Sequence, residues 1–132
     1  MNDKITVSDL FESKKSGKKF SSISCYDYAT ARFAAKSGAE MLLVGDSAAQ
    51  VMLGFDSTVS AKMDFMVTIT AAVRRAAKNV CLVADMPFLS YQTGVRDAII
   101  NAGRFTTEAG ADVIKIEVDE PYLDIVKAVS DA

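Results

Sequence analysis

The chain has no histidine and no tryptophan among its 132 residues. Without histidine, neither a Ser-His-Asp triad nor a His-ligated zinc site can be assembled within it. Cysteine is scarce. Cys25 and Cys81 stand far apart, without C-x-x-C spacing, in stretches expected to be strands, and they read as buried free thiols in a reducing cytoplasm. With two prolines and no Pro/Gly-rich or low-complexity stretch, nothing divides the chain, so a single domain over 1–132 is expected. No run approaches the ~20 apolar residues of a membrane span. Met1-Asn2-Asp3-Lys4 lacks the charged-then-apolar layout of a signal peptide, which agrees with a cytoplasmic protein. A strong excess of one charge is also missing. The formal net charge is −2 and the signs are mixed, with no basic block of the kind that binds nucleic acid. The one local excess, Lys14-Lys15-Ser16-Gly17-Lys18-Lys19, reads as a solvated turn rather than a phosphate site.

What is present is an alternation. Half of the residues are apolar, enough for one buried core. Helical spacing is expected over 6–13, 28–37, 63–78, 95–109 and 122–130. Strand patterns fall at 20–26, 41–44, 80–87 and 111–118, and residues 47–62 read as a long loop. After a first helix, four strand-helix units follow one another, which implies an α/β fold with a parallel sheet and right-handed crossovers. A doubly wound nucleotide-binding sheet should carry G-x-G-x-x-G after its first strand, yet Asp27-Tyr28-Ala29-Thr30 stands there. The other architecture is a (β/α)8 barrel, of which a chain this long supplies about four units.

Each expected strand ends near an acid: Asp27, Asp46, Asp85 and Glu117. Their spacing suits βα units of ~30 residues. In a barrel the carboxyl ends of the strands hold the chemistry. The period of two puts Val44 with Asp46, Val83 with Asp85 and Lys115 with Glu117, leaving Ile114, Ile116 and Val118 to pack under helices. Asp46, Asp85, Lys115 and Glu117 are then expected to converge. Unpartnered carboxylates raise one another's pKa, and a hard divalent cation relieves this; oxygen ligands without histidine favour Mg²⁺. Lys115 suits a substrate carboxylate. Plainer roles fit each residue singly: Asp46-Ser47 as a helix cap, Lys115 and Glu117 as a salt bridge, Asp85 as a turn residue, and Tyr26 and Tyr28 around Asp27 as packing.

Six segments in order resemble the ketopantoate hydroxymethyltransferase family: Cys25-Tyr26-Asp27-Tyr28, Val44-Gly45-Asp46-Ser47, GFDST from Gly54, Ala72-Val73-Arg74-Arg75, Ala84-Asp85-Met86-Pro87-Phe88 and VIKIE from Val113. The resemblance implies a (β/α)8 TIM barrel of the phosphoenolpyruvate/pyruvate superfamily, with this chain as its N-terminal half, and a cytoplasmic homo-oligomer, often a decamer. It implies hydroxymethyl transfer from 5,10-methylenetetrahydrofolate to 3-methyl-2-oxobutanoate, giving 2-dehydropantoate, with Mg²⁺ as the Lewis acid that stabilises the enolate. By resemblance, Asp46 and Asp85 bind metal and substrate, Ser47 contacts the oxo-acid, Lys115 holds its carboxylate and Glu117 lies on the metal side. The family's general base, a glutamate, and a substrate-contacting histidine are implied to lie beyond residue 132. Phe55, Val59 to Lys62, Thr68-Ile69-Thr70 and Val118-Asp119 depart from the family's usual residues. A second reading from another class stays open: a catalytically inert half-barrel serving assembly or oxo-acid binding.

Overall fold

The computed structural model describes residues 3–132, so the first two residues of the leader-free N-terminal reading lie outside it. Helix α1 (Val7–Ser16) starts with a reciprocal cap. The Thr6 hydroxyl accepts from the Asp9 amide, and the Asp9 carboxylate accepts the Thr6 amide at 2.8 Å. At its other end the Lys14–Lys19 run is an exposed helix end and turn, as the sequence implied.

Strands β1 (Ser22–Ser24), β2 (Met41–Val44), β3 (Cys81–Asp85) and β4 (Val113–Lys115) form one parallel sheet in the order β1-β2-β3-β4. The connecting helices are α2 (Tyr28–Lys36), α3 (Ala48–Leu53) with α4 (Met63–Ala76), and α5 (Val95–Thr107); α6 (Leu123–Asp131) follows β4. A doubly wound sheet must reverse its strand order at a switch point. This order never reverses, and right-handed crossovers then put every helix on one face. The chain is a partial α/β barrel of about four βα units.

That helix-covered face holds the core. Leu42, Val44, Leu82 and Ala84 are fully buried against Ala31, Met66, Val73 and Phe105, and Ile114 of β4 packs against them as expected, with Ile116 and Val118 from just past that strand. Burying each large side chain contributes about 1.5–3 kcal/mol. β3, with neighbours on both sides, is buried along its whole length, whereas β1 is exposed throughout. Both cysteines are free and buried; Cys81 opens β3, but Cys25 lies just past β1. Burial and the nearby Asp27 carboxylate push the Cys25 thiol up to about 11, which keeps it protonated and unreactive.

The structure corrects three expectations. Residues 48–53, read as loop, are helix α3; Ala-Ala-Gln-Val-Met-Leu is a run with good helix formers, closed by Gly54 at φ 72°. The outer strands are shorter than expected. β4 ends at Lys115, its last bond to the neighbouring strand being the Met86 N–H to the Lys115 carbonyl at 3.0 Å. The shared face of Val44 and Asp46 is also wrong. Leu43 pairs with Val83 and Val44 with Ala84, so Val44 sits on the helix side while Asp85 faces the barrel interior.

Candidate active site

Asp85, the last residue of β3, is the centre of the carboxyl-terminal end of the sheet. It pairs in register with Lys115 on β4, so both side chains leave the sheet on the interior face. Lys115 Nζ donates to Asp85 Oδ1 at 3.0 Å and also contacts the Glu117 carboxylate. Asp85 is 4 % exposed. Burial raises its carboxyl pKa, and the Lys115 hydrogen bond and the Asp46 amide only partly offset this. For Lys115, burial alone works against the charged amine. The Glu117 and Asp85 carboxylates outweigh it and hold the ammonium above its usual range.

Asp46 arrives by another route. β2 stops at Val44, and Gly45 begins a turn that brings the Asp46 amide to Asp85 Oδ2 at 3.3 Å. A Cβ on Gly45 would stand 3.0 Å from Ser47 Oγ and 3.8 Å from Asp85 Oδ2, so a larger residue here would press on the Ser47 hydroxyl. Ser47 makes no cap bond to α3; its Oγ shares a hydrogen bond with the Tyr26 hydroxyl at 2.9 Å. The cap reading therefore fails for Ser47. It holds for Asp27, whose carboxylate accepts the Thr30 amide and hydroxyl at the start of α2. Asp27 drops out of the acid constellation.

One group was not anticipated. Tyr91, read as part of a turn, is 5 % exposed and donates its hydroxyl to the Glu117 carbonyl at 2.5 Å. Just before it, Leu89 takes φ 64°, a left-handed conformation costly for a side chain, and the Ser90 amide turns back to the Pro87 carbonyl. The loop thus swings Tyr91 under the end of β4 and fixes where Glu117 stands. Its signal in the sequence was a tyrosine six residues past Asp85, close to an expected strand end.

Asp85, Asp46 and Glu117 offer only carboxylate oxygen, the donor type that hard cations prefer. Among the described residues, no three acidic, cysteine or histidine side chains form a ready-made metal cluster. Glu117 is turned toward Lys115 instead. Mg²⁺ needs only one or two carboxylates beside water and substrate oxygens. Asp85, buried with Lys115 as its one cation and with the Asp46 carboxylate near enough to raise its pKa, fits that requirement.

A sequence profile described as ketopantoate hydroxymethyltransferase matches residues 4–132. The chain belongs to the ketopantoate hydroxymethyltransferase family. It is 46% identical over its whole length to the 3-methyl-2-oxobutanoate hydroxymethyltransferase of Acetivibrio thermocellus, covering 47% of that protein. With the enzyme of the same name from Carboxydothermus hydrogenoformans it shares 51% over 115 residues, which are 87% of the chain and 42% of the relative. The chain thus spans about half the length of the curated relatives it matches. The fold recurs at 15–17% identity in solved structures. One is 2,3-dimethylmalate lyase, a PEP mutase/isocitrate lyase superfamily member (TM-score 0.71, 94% of this chain and 46% of that one). Another is phosphonopyruvate hydrolase in complex with oxalate and Mg²⁺ (TM-score 0.73, 93% and 46%). Of the family-like segments, A-D-M-P-F and V-I-K-I-E meet through the Asp85 and Lys115 side chains, V-G-D-S reaches Asp85 through the Asp46 amide, and C-Y-D-Y touches V-G-D-S through the Tyr26 and Ser47 hydroxyls. No helix among the described residues is long and apolar enough to cross a membrane.

Proposed function

We propose that this chain carries the oxo-acid- and metal-gripping half of a ketopantoate hydroxymethyltransferase active site. The reaction is hydroxymethyl transfer from 5,10-methylenetetrahydrofolate to 3-methyl-2-oxobutanoate, in a homo-oligomer. The observation that carries this reading is the Lys115–Asp85 contact at 3.0 Å on adjacent strand ends, with the Asp46 amide on the second Asp85 oxygen. One ammonium and two converging acids suit a small 2-oxo acid bound beside a cation.

In this reading Asp46 and Asp85 hold Mg²⁺, with Glu117 on the metal side. The ion, when bound, supplies Lewis-acid stabilisation of charge developing on the keto oxygen. Lys115 exchanges its bond to Asp85 for one to the substrate carboxylate, an ion pair strengthened by partial burial. Ser47, oriented by Tyr26, donates its hydroxyl to the oxo-acid. Gly45 keeps the floor of the site open. Proton removal from C3 needs a base within hydrogen-bond reach of that carbon. By the family resemblance, that base is a glutamate from beyond residue 132.

The test is proton NMR of 3-methyl-2-oxobutanoate in D₂O with the protein, with and without Mg²⁺, together with calorimetry of oxo-acid binding. Mg²⁺-dependent binding that falls about tenfold or more in Lys115→Met is the expected result, since a charged hydrogen bond contributes about 1.5–3 kcal/mol. Binding without Mg²⁺ dependence, or unchanged in Lys115→Met, refutes the reading. Loss of the C3 hydrogen signal shows a base in the assembled protein. Binding with no exchange favours the oxo-acid-binding module over a working enzyme.

A further inference from the structure

Far from Asp85, a cleft of about 830 Å³ opens between the last turns of α2 and α4, within the volume range of small-molecule sites. Its floor is small and apolar: Ala35, Ala39, Ala76 and Val80. Arg32, Lys36, Arg75 and Lys78 line it, with Asp3 as the one carboxylate and Tyr28 as an exposed aromatic wall. The N-terminal segment is fixed beside it by the Ile5 amide on the Asn79 carbonyl at 2.9 Å. None of the four cations has an ion pair among the described residues, in a chain of net charge −2.

Helix ends alone do not account for four cations. A helix carboxyl terminus carries about half a negative charge and is satisfied by one cation or a cap. The end of α4 is already served by Arg74, which donates to the Ala77, Lys78 and Val80 carbonyls. The end of α2 is closed by the Ser37 and Gly38 amides on the Phe33 and Ala35 carbonyls. The four remaining exposed cations line one cleft with a single carboxylate, an excess of positive charge that an anionic ligand offsets.

We infer that this cleft binds a phosphorylated small molecule, with Arg32, Lys36, Arg75 and Lys78 on the phosphates and the Tyr28 ring against its organic part. The arginines suit phosphate through their planar forks, and the lysines add point charge. The site is independent of the oxo-acid site and of the function proposed above.

Equilibrium dialysis of the whole chain at fixed ionic strength, with inorganic pyrophosphate and then ADP, tests it. One-site saturable binding is expected, tighter for ADP, and weakened about tenfold or more in Arg32→Gln/Arg75→Gln, each lost charged contact counting for about tenfold. A control, Lys14→Gln/Lys19→Gln, leaves it unchanged. All these side chains are exposed, so folding is not at stake. Amide NMR shifts confined to 35–39 and 75–80 give a second readout on the unaltered protein. Absent or non-saturable binding overturns the inference. So do equal loss in the control, shifts spread over the lysine-rich turn, and tighter binding of a single-stranded oligonucleotide than of ADP.

Discussion

Strands β3 and β4 carry a charged cluster at each end, and the two clusters are built on opposite rules. At the amino-terminal end, Asp112 accepts the Leu82 amide at 2.9 Å and is gripped by Lys4 at 2.5 Å and by Arg74. Arg74 spends its other donors on the Gly110, Ala77, Lys78 and Val80 carbonyls. Burial alone would raise the Asp112 pKa; the Lys4 contact, the Leu82 amide and Arg74 outweigh it and hold the carboxylate below its usual range. At the carboxyl-terminal end, Asp85 is more deeply buried, has one cation, and is pushed up instead. A saturated carboxylate locks a structure, whereas an under-compensated one has capacity for a ligand. Conserving charge pairing at one end and leaving it short at the other separates stability from binding within a single pair of strands.

The largest effect expected from breaking this contrast is at the lock. Arg74→Ala removes four carbonyl contacts and leaves Asp112, whose side chain is 18% exposed, with Lys4 as its one cation. A loss of about 3 kcal/mol is expected, read as a lower urea midpoint at constant slope. Lys115→Met at the other end should cost less stability while removing oxo-acid binding, because its side chain is partly exposed and, unlike Arg74, holds no backbone carbonyls. Equal destabilisation by the two variants would erase the distinction.

The pH dependence sharpens it further. An acid whose folded pKa is depressed contributes stability above its unfolded value, ~3.9 for aspartate, and loses it as pH falls through the folded pKa. Asp112 is of this kind, so wild type should lose its advantage over Asp112→Asn only below about pH 4. Asp85 has the opposite sign. With its folded pKa raised, the folded state binds the proton more tightly, so wild type should gain on Asp85→Asn as pH falls from neutrality toward ~4. Urea midpoints of the three proteins from pH 7 to pH 3 give both slopes. Two curves of the same sign would contradict the assignment of Asp85 as the under-compensated acid.

How far these features could be read in the sequence depends on how local their causes are. The alternation of elements, the parallel sheet and the identity of Asp85 and Lys115 follow from short periodic runs, and register does the rest. β2 ends at Val44 as expected, but strand alternation was carried past it, and a turn rather than a pleat brings the Asp46 amide to Asp85. Helix α3 was missed because its six residues are too few to show a period. The basic cleft was invisible for a different reason: Arg32 and Lys36 lie on α2 and Arg75 and Lys78 at the end of α4, so no window of sequence contains the cluster. The Asp112–Arg74 lock joins residues 38 positions apart in the same way.

The smallest expected effect concerns the link between scaffold and site. β4 leaves the ladder at Lys115, and Glu117 is held beyond it by the Tyr91 hydroxyl on its carbonyl at 2.5 Å. Tyr91→Phe keeps the ring in place and removes that donor, leaving a carbonyl with one partner fewer. The expected cost is about 1 kcal/mol of stability. If Tyr91 serves only packing, oxo-acid affinity should stay constant once the protein is folded. If it sets the position of Glu117 against Lys115, affinity should fall several-fold in addition to that loss. Backbone amide exchange at residues 116–119 should then accelerate while the centre of β3 stays protected. A variant that loses stability but keeps both affinity and exchange protection would assign Tyr91 to the lock rather than to the mouth.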